Sequence, residues 1–266
     1  MIEHAVSLIN SYFSEPHASL LNGILLGRKL FVTQSFYDEL KEVGLIHIVV
    51  LSGMNITMLS AIILNTVIPI VGRMIATVVT IVLICGFIYL VGAEAPVVRA
   101  GIMGILALIG ILLGRKTLTL WLLFLSGLIM VLINAEWLTS ISFQLSFAAT
   151  LGIILFGSGE EANDKKTAVL LNYLKEELRI SLAAQVFTLP IIFWYFRQLS
   201  FISPIANILV AWMIAPIMIL GMITIVLGTV SWQLGFVFSW MIYPLLGSIV
   251  WIVETLSKIP YASITL

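Results

Sequence analysis

Charged side chains are scarce in this chain. Asp, Glu, Lys and Arg make up 10% of its 266 residues and hydrophobic residues 61%, whereas charged residues alone reach about 25% in soluble globular domains. A soluble globular fold is excluded. The 13 basic and 13 acidic residues cancel to a net charge of zero, so the strongly basic surface of an ordinary nucleic-acid binder is absent too. Cys85 is the single cysteine, which rules out an intrachain disulfide and any multi-cysteine metal site. The three histidines, His4, His17 and His47, are too scattered for a metal motif, so neither metal nor cofactor is expected. The N-terminus has no basic region ahead of a short apolar core, so no cleaved signal peptide is expected. Gly110 to Thr117 imitates a phosphate loop, but it is one residue short and Arg115 stands where lysine is needed. There is no obvious internal repeat.

What the chain does have is apolar runs of about 18 to 25 residues, the length that crosses hydrocarbon as helix. They lack the strict alternation of barrel strands. Together with a mean hydropathy of +1.16, they predict an all-α, polytopic membrane helix bundle. Spans are expected at 44–69, 73–92, 96–114, 118–134, 140–157, 180–196, 202–227 and 233–256, about eight in all. Pro216 and Pro244 fall inside the last two and would kink or split them.

Residues 1–42 read as interfacial amphipathic helices, with Val6, Ile9 and Phe13 at helical spacing and a break at Ser14-Glu15-Pro16. Residues 43–260 form the transmembrane domain, interrupted by a polar insertion over 157–179. Basic residues near the span ends favour the side carrying Arg73, Arg115, Lys116 and Lys175 as cytoplasmic, with both termini outside.

Polar groups within such spans need a partner or a wet cavity, so each cluster is a functional hypothesis. His47, Ser52 and Asn55 fall on one broad helical face with Asn65, which suits either a lined path or hydrogen bonding between packed helices. Arg99 follows Glu94-Ala95-Pro96-Val97-Val98 and either anchors at the interface or turns inward. Ser140, Gln144, Ala148 and Gly152 make one i, i+4 row and Ser142, Ser146 and Thr150 another. Two such rows on one helix imply neighbours on both sides. Ser181, Ala184, Gln185 and Thr188 share a face of the next span, and Ser203, Asn207, Ala211 and Ala215 a face of the one after. Phe193-Trp194-Tyr195-Phe196-Arg197 reads as an interfacial aromatic belt, with base stacking at a channel mouth as the sharper alternative. Gly110 and Gly114 fit a small-xxx-small packing motif.

Four stretches, in order, resemble the competence domain of the ComEC family. They are Glu15 to Gly27 followed by His47 to Asn55, Ala95-Pro96-Val97-Val98-Arg99-Ala100, Ser142-Phe143-Gln144-Leu145-Ser146-Phe147, and Ser181 to Pro190 with Asn207 after it. The resemblance implies a multi-pass inner-membrane channel that passes single-stranded transforming DNA into the cytoplasm. It further implies an external DNA receptor, a cytoplasmic helicase or motor, and a separate nuclease as partners. Asn55 stands where family members commonly carry a second histidine, so a role needing paired imidazoles is not expected. With no His-x-His-x-Asp-His signature and no room for the relatives' oligonucleotide-binding and nuclease-like domains, the chain is not expected to be an enzyme. His47, Ser52, Asn55, Arg99, Gln144, Ser146, Gln185 and Asn207 are the expected channel-lining or gating residues.

Two rival functions remain open at this level. A small-solute or ion transporter would also use midplane polar groups. An intramembrane hydrolase built on Ser52 and His47 lacks a third member and has Val50 where a glycine is expected.

Overall fold

A computed structural model describes residues 2–49, 53–157, 169–259 and 263–265. Within them eleven α-helices dominate, in the order α1 Ile2–Tyr12, α2 His17–Leu26, α3 Gln34–Val43, α4 Ile46–Val49, α5 Gly53–Val91, α6 Ala95–Leu112, α7 Thr119–Ile133, α8 Ile141–Gly152, α9 Val169–Phe196, α10 Ser203–Val230 and α11 Trp232–Leu256. A 3₁₀ turn at Ala135–Thr139, a π turn at Ile153–Gly157 and the three-residue strands Gln198–Ser200 and Ser263–Thr265 complete the list.

Among the described residues five helices are long and apolar enough to cross a membrane, where the sequence suggests about eight spans. They are Ile46–Val91, Ala95–Leu112, Lys175–Tyr195, Ser203–Val230 and Trp232–Leu256. The difference has two physical sources. The expected spans 44–69 and 73–92 form a single helix with a joint at Gly72, whose φ of 81° and ψ of 165° leave the helical region just after Pro69. Each arm of α5 still rises about 28 Å, enough for one crossing. The stretches expected at 118–134 and 140–157 form helices at those bounds to within a residue, each shorter than 18 residues, with Asn134 and Ser140 capping the turn between them. Pro216 and Pro244 do not split their spans, since α10 and α11 each run through the proline. Of the expected polar insertion at 157–179, residues 158–168 lie outside the described residues, and residues 169–179 are the first turns of the continuous helix α9.

The chain forms two compact units. The first comprises residues 1–59, 89–92 and 200–264, the second 60–88, 93–199 and 265–266.

In the first unit α10 and α11 pack as a hairpin turned by Ser231. Tyr12 of α1 docks on that turn, donating its hydroxyl to the Trp232 carbonyl at 3.0 Å. A Cβ on Gly228 would come within 2.8 Å of the Tyr12 Oη, so this glycine admits the phenol. Residues 1–42 do not behave uniformly. α1 and α3 are two-sided, burying Ala5, Leu8 and Ile9, and Phe36, Leu40 and Val43. α2 is mostly apolar and is buried from Ala18 to Leu25, Ser19 and Asn22 included, the pattern of a helix inside a core. Gly221 of α10 lets it approach, since a Cβ there would lie 2.5 Å from Leu25 Cδ1.

In the second unit α6, α7 and α8 meet around Ala95, Val98, Met130 and Phe143, with Phe147 stacked on Phe143 at 4.3 Å between centroids. α8 also packs along α9. A Cβ on Gly152 would strike the Ala183 carbonyl oxygen and lie 2.9 Å from Phe187 Cδ2. Arg179 of α9 closes the far end, donating from Nε and Nη2 to the Gly157 carbonyl at 3.2 and 2.7 Å. Gly110 and Gly114 serve the end of α6 instead of a helix crossing. Gly114 takes φ 65°, and the amides of Gly114 and Arg115 donate to Ile111 and Gly110, a Schellman cap.

Candidate polar site on the α6 and α8 faces

Pro96 sits in the first turn of α6, where its missing N–H goes unneeded. Arg99 follows within that helix, half-buried. Its side chain turns onto α8. Nε donates to Ser146 Oγ at 2.8 Å, and Nη1 donates to Thr150 Oγ1 and contacts Met103 Sδ at 3.7 Å. Thr150 Oγ1 in turn donates to the Ser146 carbonyl at 2.9 Å. Arg99 is therefore directed onto the second hydroxyl row of α8. Glu94 is exposed at the N-cap with extended backbone and does not meet it. Among the described residues the ion pair present joins Arg28 to Glu3 in the first unit.

The other row of α8 divides by task. Ser140 caps the helix, accepting from the Phe143 amide at 3.2 Å and donating to the Trp137 carbonyl. Gln144 Nε2 donates to the Leu138 carbonyl at 3.1 Å and lines a shallow recess with Pro190, Ile191, Trp194 and Tyr195. The aromatic run thus meets Gln144 in one hollow. Gly152 makes the close approach to α9. Gln185 lies half-buried on α9, one turn before Thr188, whose hydroxyl donates to the Ala184 carbonyl at 3.0 Å.

The remaining sequence-predicted residues belong to the first unit. Asn55 is fully buried, and its Nδ2 donates to the Ile24 carbonyl at 3.1 Å, tying the start of α5 to α2. That geometry is the helix-to-helix bond weighed against a lined path. His47 on α4 is exposed and Asn207 on α10 half-buried. Ser52 lies outside the described residues.

Asn55→Leu is expected to lower stability by about 1 to 3 kcal/mol, because it leaves the buried Ile24 carbonyl short of a donor. Thermal unfolding in detergent checks this, and an unchanged midpoint would remove the tie.

Sequence reasoning passed over three polar residues that the structure groups on and around α2. Asn22 Nδ2 donates to Asn10 Oδ1 at 2.9 Å. Ser19 Oγ donates to the Phe31 carbonyl at 3.1 Å and accepts its amide at 3.2 Å. His17 stacks on Tyr243 at 4.7 Å with a buried Nδ1 that has no hydrogen-bond partner. The signal was available, since these residues interrupt an apolar run too short to span.

Burial holds the His17 imidazole below its ordinary pKa, opposed by the nearby Glu15 carboxylate. The unfolded chain therefore takes up this proton first. Stability is expected to fall as pH drops below about 6.5, and His17→Gln should flatten that slope. Unfolding midpoints across pH test it, and identical slopes for both proteins would contradict it.

The fold is that of an α-helical membrane protein whose second unit holds an arginine on a hydroxyl row. The chain belongs to the Competence protein family, which matches residues 24–266. It is 27% identical over 208 residues to the ComE operon protein 3 of Bacillus subtilis (strain 168), covering 78% of this chain and 26% of that protein. It is 30% identical over 166 residues to an uncharacterized protein of Aquifex aeolicus (strain VF5), covering 62% of this chain and 36% of that one. The chain thus spans about a quarter to a third of these relatives. No solved structure matches it significantly.

Proposed function

We propose that this chain forms an inner-membrane conduit through which single-stranded DNA passes into the cytoplasm during uptake, without chemistry of its own. Family membership supports a part in competence. The observation that carries the conduit reading is α8, a helix with polar or small side chains on two rows, engaged by Arg99 on one and by α9 on the other. A helix so built is poorly suited to lipid. Passage of a polyanion needs weak, repeated contacts, because every fixed cation that attracts a phosphate also retains it. Neutral donors and acceptors such as Gln144, Ser146 and Gln185 of the second unit meet that need. Sequence-independent passage follows, since these groups are not set to read base edges. The force is supplied from outside the chain by a receptor that delivers DNA and a cytoplasmic motor that draws it in, with any strand degradation left to a separate nuclease.

Reconstituted vesicles test the reading against the solute-transporter alternative. Fluorescent oligothymidylate added outside should become protected from added nuclease in vesicles holding the protein, and Gln144→Leu should reduce the protected fraction. Release of small solutes with no protected DNA would favour the transporter.

A further inference from the structure

Arg99 is a cation inside an apolar span that meets hydroxyls and a thioether but no carboxylate among the described residues. Intramembrane charges usually pair with one another, so an arginine without a counter-charge marks a place for an anion. The geometry says which part of the side chain is committed. Nε and Nη1 are held by Ser146 and Thr150, while Nη2, which shares an edge of the planar guanidinium with each of them, makes no hydrogen bond among the described residues. A guanidinium fixed at two of its nitrogens presents the third in a set direction, which suits an oxyanion better than a freely rotating ammonium does.

We infer that Arg99, oriented by Ser146 and Thr150, forms a binding subsite for one phosphodiester at a time. Arg99 makes the contact. Ser146 and Thr150 are positioning residues, and Thr150 is an addition to the residues that the sequence suggested. The subsite deepens the conduit reading and rests on it only for the identity of the cargo, because a lipid headgroup presents the same chemistry as a nucleic-acid backbone. A single such subsite is consistent with passage, since one contact is made and released as the next phosphate arrives.

Binding by the purified protein in a phosphate-free maltoside detergent tests it, with two probes. One is a short fluorescent oligothymidylate read by anisotropy at several salt concentrations, the other short-chain phosphatidylglycerol read by calorimetry. For the oligonucleotide, Arg99→Gln should weaken binding about tenfold and reduce the salt slope by about 0.7, the share of one phosphate on a single strand. Arg99→Lys should keep the slope but lose part of the affinity, and Thr150→Val should do the same with the arginine intact. An oligonucleotide with neutral methylphosphonate linkages should bind wild type and Arg99→Gln alike. Dependence on Arg99 for DNA alone assigns the subsite to nucleic acid, and dependence for lipid alone assigns it to the headgroup. If Arg99→Gln leaves both probes unchanged at equal folded fraction, the subsite does not exist. Failure here would leave cellular DNA passage untouched as a question, and failure of cellular passage would leave this binding intact, so the two readings fall separately.

Discussion

Cells carrying Arg99→Glu are expected to take up DNA more than about a hundredfold less well than wild type at matched membrane abundance. The substitution reverses the charge at the proposed phosphate subsite. A unit charge about 4 Å from a phosphate interacts by about 4 kcal/mol at an effective dielectric of 20, and a hundredfold change requires only about 2.7 kcal/mol. Packing should survive, because the hydroxyls of Ser146 and Thr150 that now accept from Arg99 can rotate and donate to a carboxylate. Arg99→Gln should fall between the two. Labelled DNA reaching the cytoplasm is the readout, and a glutamate variant that admits DNA at the wild-type level would overturn the role given to this residue.

The second large effect is structural. Gly152→Val should leave little folded protein, because the new side chain meets the Ala183 main-chain carbonyl, which cannot swing aside, and the Phe187 ring. Overpacking commonly costs about 1 to 3 kcal/mol, and a clash with backbone falls at the upper end or beyond. Gly104→Ala is the matched control. Nothing lies within 4 Å of a Cβ there, and replacing a helical glycine by alanine gains about 0.5 to 1 kcal/mol. Size-exclusion profiles and thermal midpoints in detergent should therefore move in opposite directions. A Gly152→Val protein as stable as wild type would mean that α8 and α9 do not make this approach.

Both expectations trace back to features that were legible before any coordinates. The helical class followed from run length and lack of alternation. The break at Ser14-Glu15-Pro16 falls between α1 and α2, and α6, α10 and α11 begin within a residue or so of the positions expected. The two rows of α8 implied neighbours on both sides, which Arg99 and the Gly152 contact supply.

What stayed illegible depended on long-range geometry. Arg99 and Thr150 stand 51 residues apart, and no periodicity within either helix tells which neighbour the guanidinium will choose. The runs expected at 118–134 and 140–157 form α7 and α8 with its π turn to within a residue, each a little short of a full span, and Gly72 joins two arms that are each long enough to cross. Gly110 and Gly114 misled, since spacing alone does not separate a packing motif from a Schellman cap. α2 was not legible because a mostly apolar helix of ten residues is too short for a span and looks like surface helix, yet Ala18 to Leu25 are enclosed. Asn55 was drawn toward a lining role by its polarity, and its bond to Ile24 shows a tie between helices.

The central claim is tested most directly by deleting the coding sequence in the native host and following labelled DNA at the cell surface and in the cytoplasm. The expected result is that surface binding persists while cytoplasmic DNA disappears, and that wild-type protein restores it where Arg99→Glu does not. Undiminished cytoplasmic DNA in the deletion strain would contradict the account, because the required conduit would then lie elsewhere.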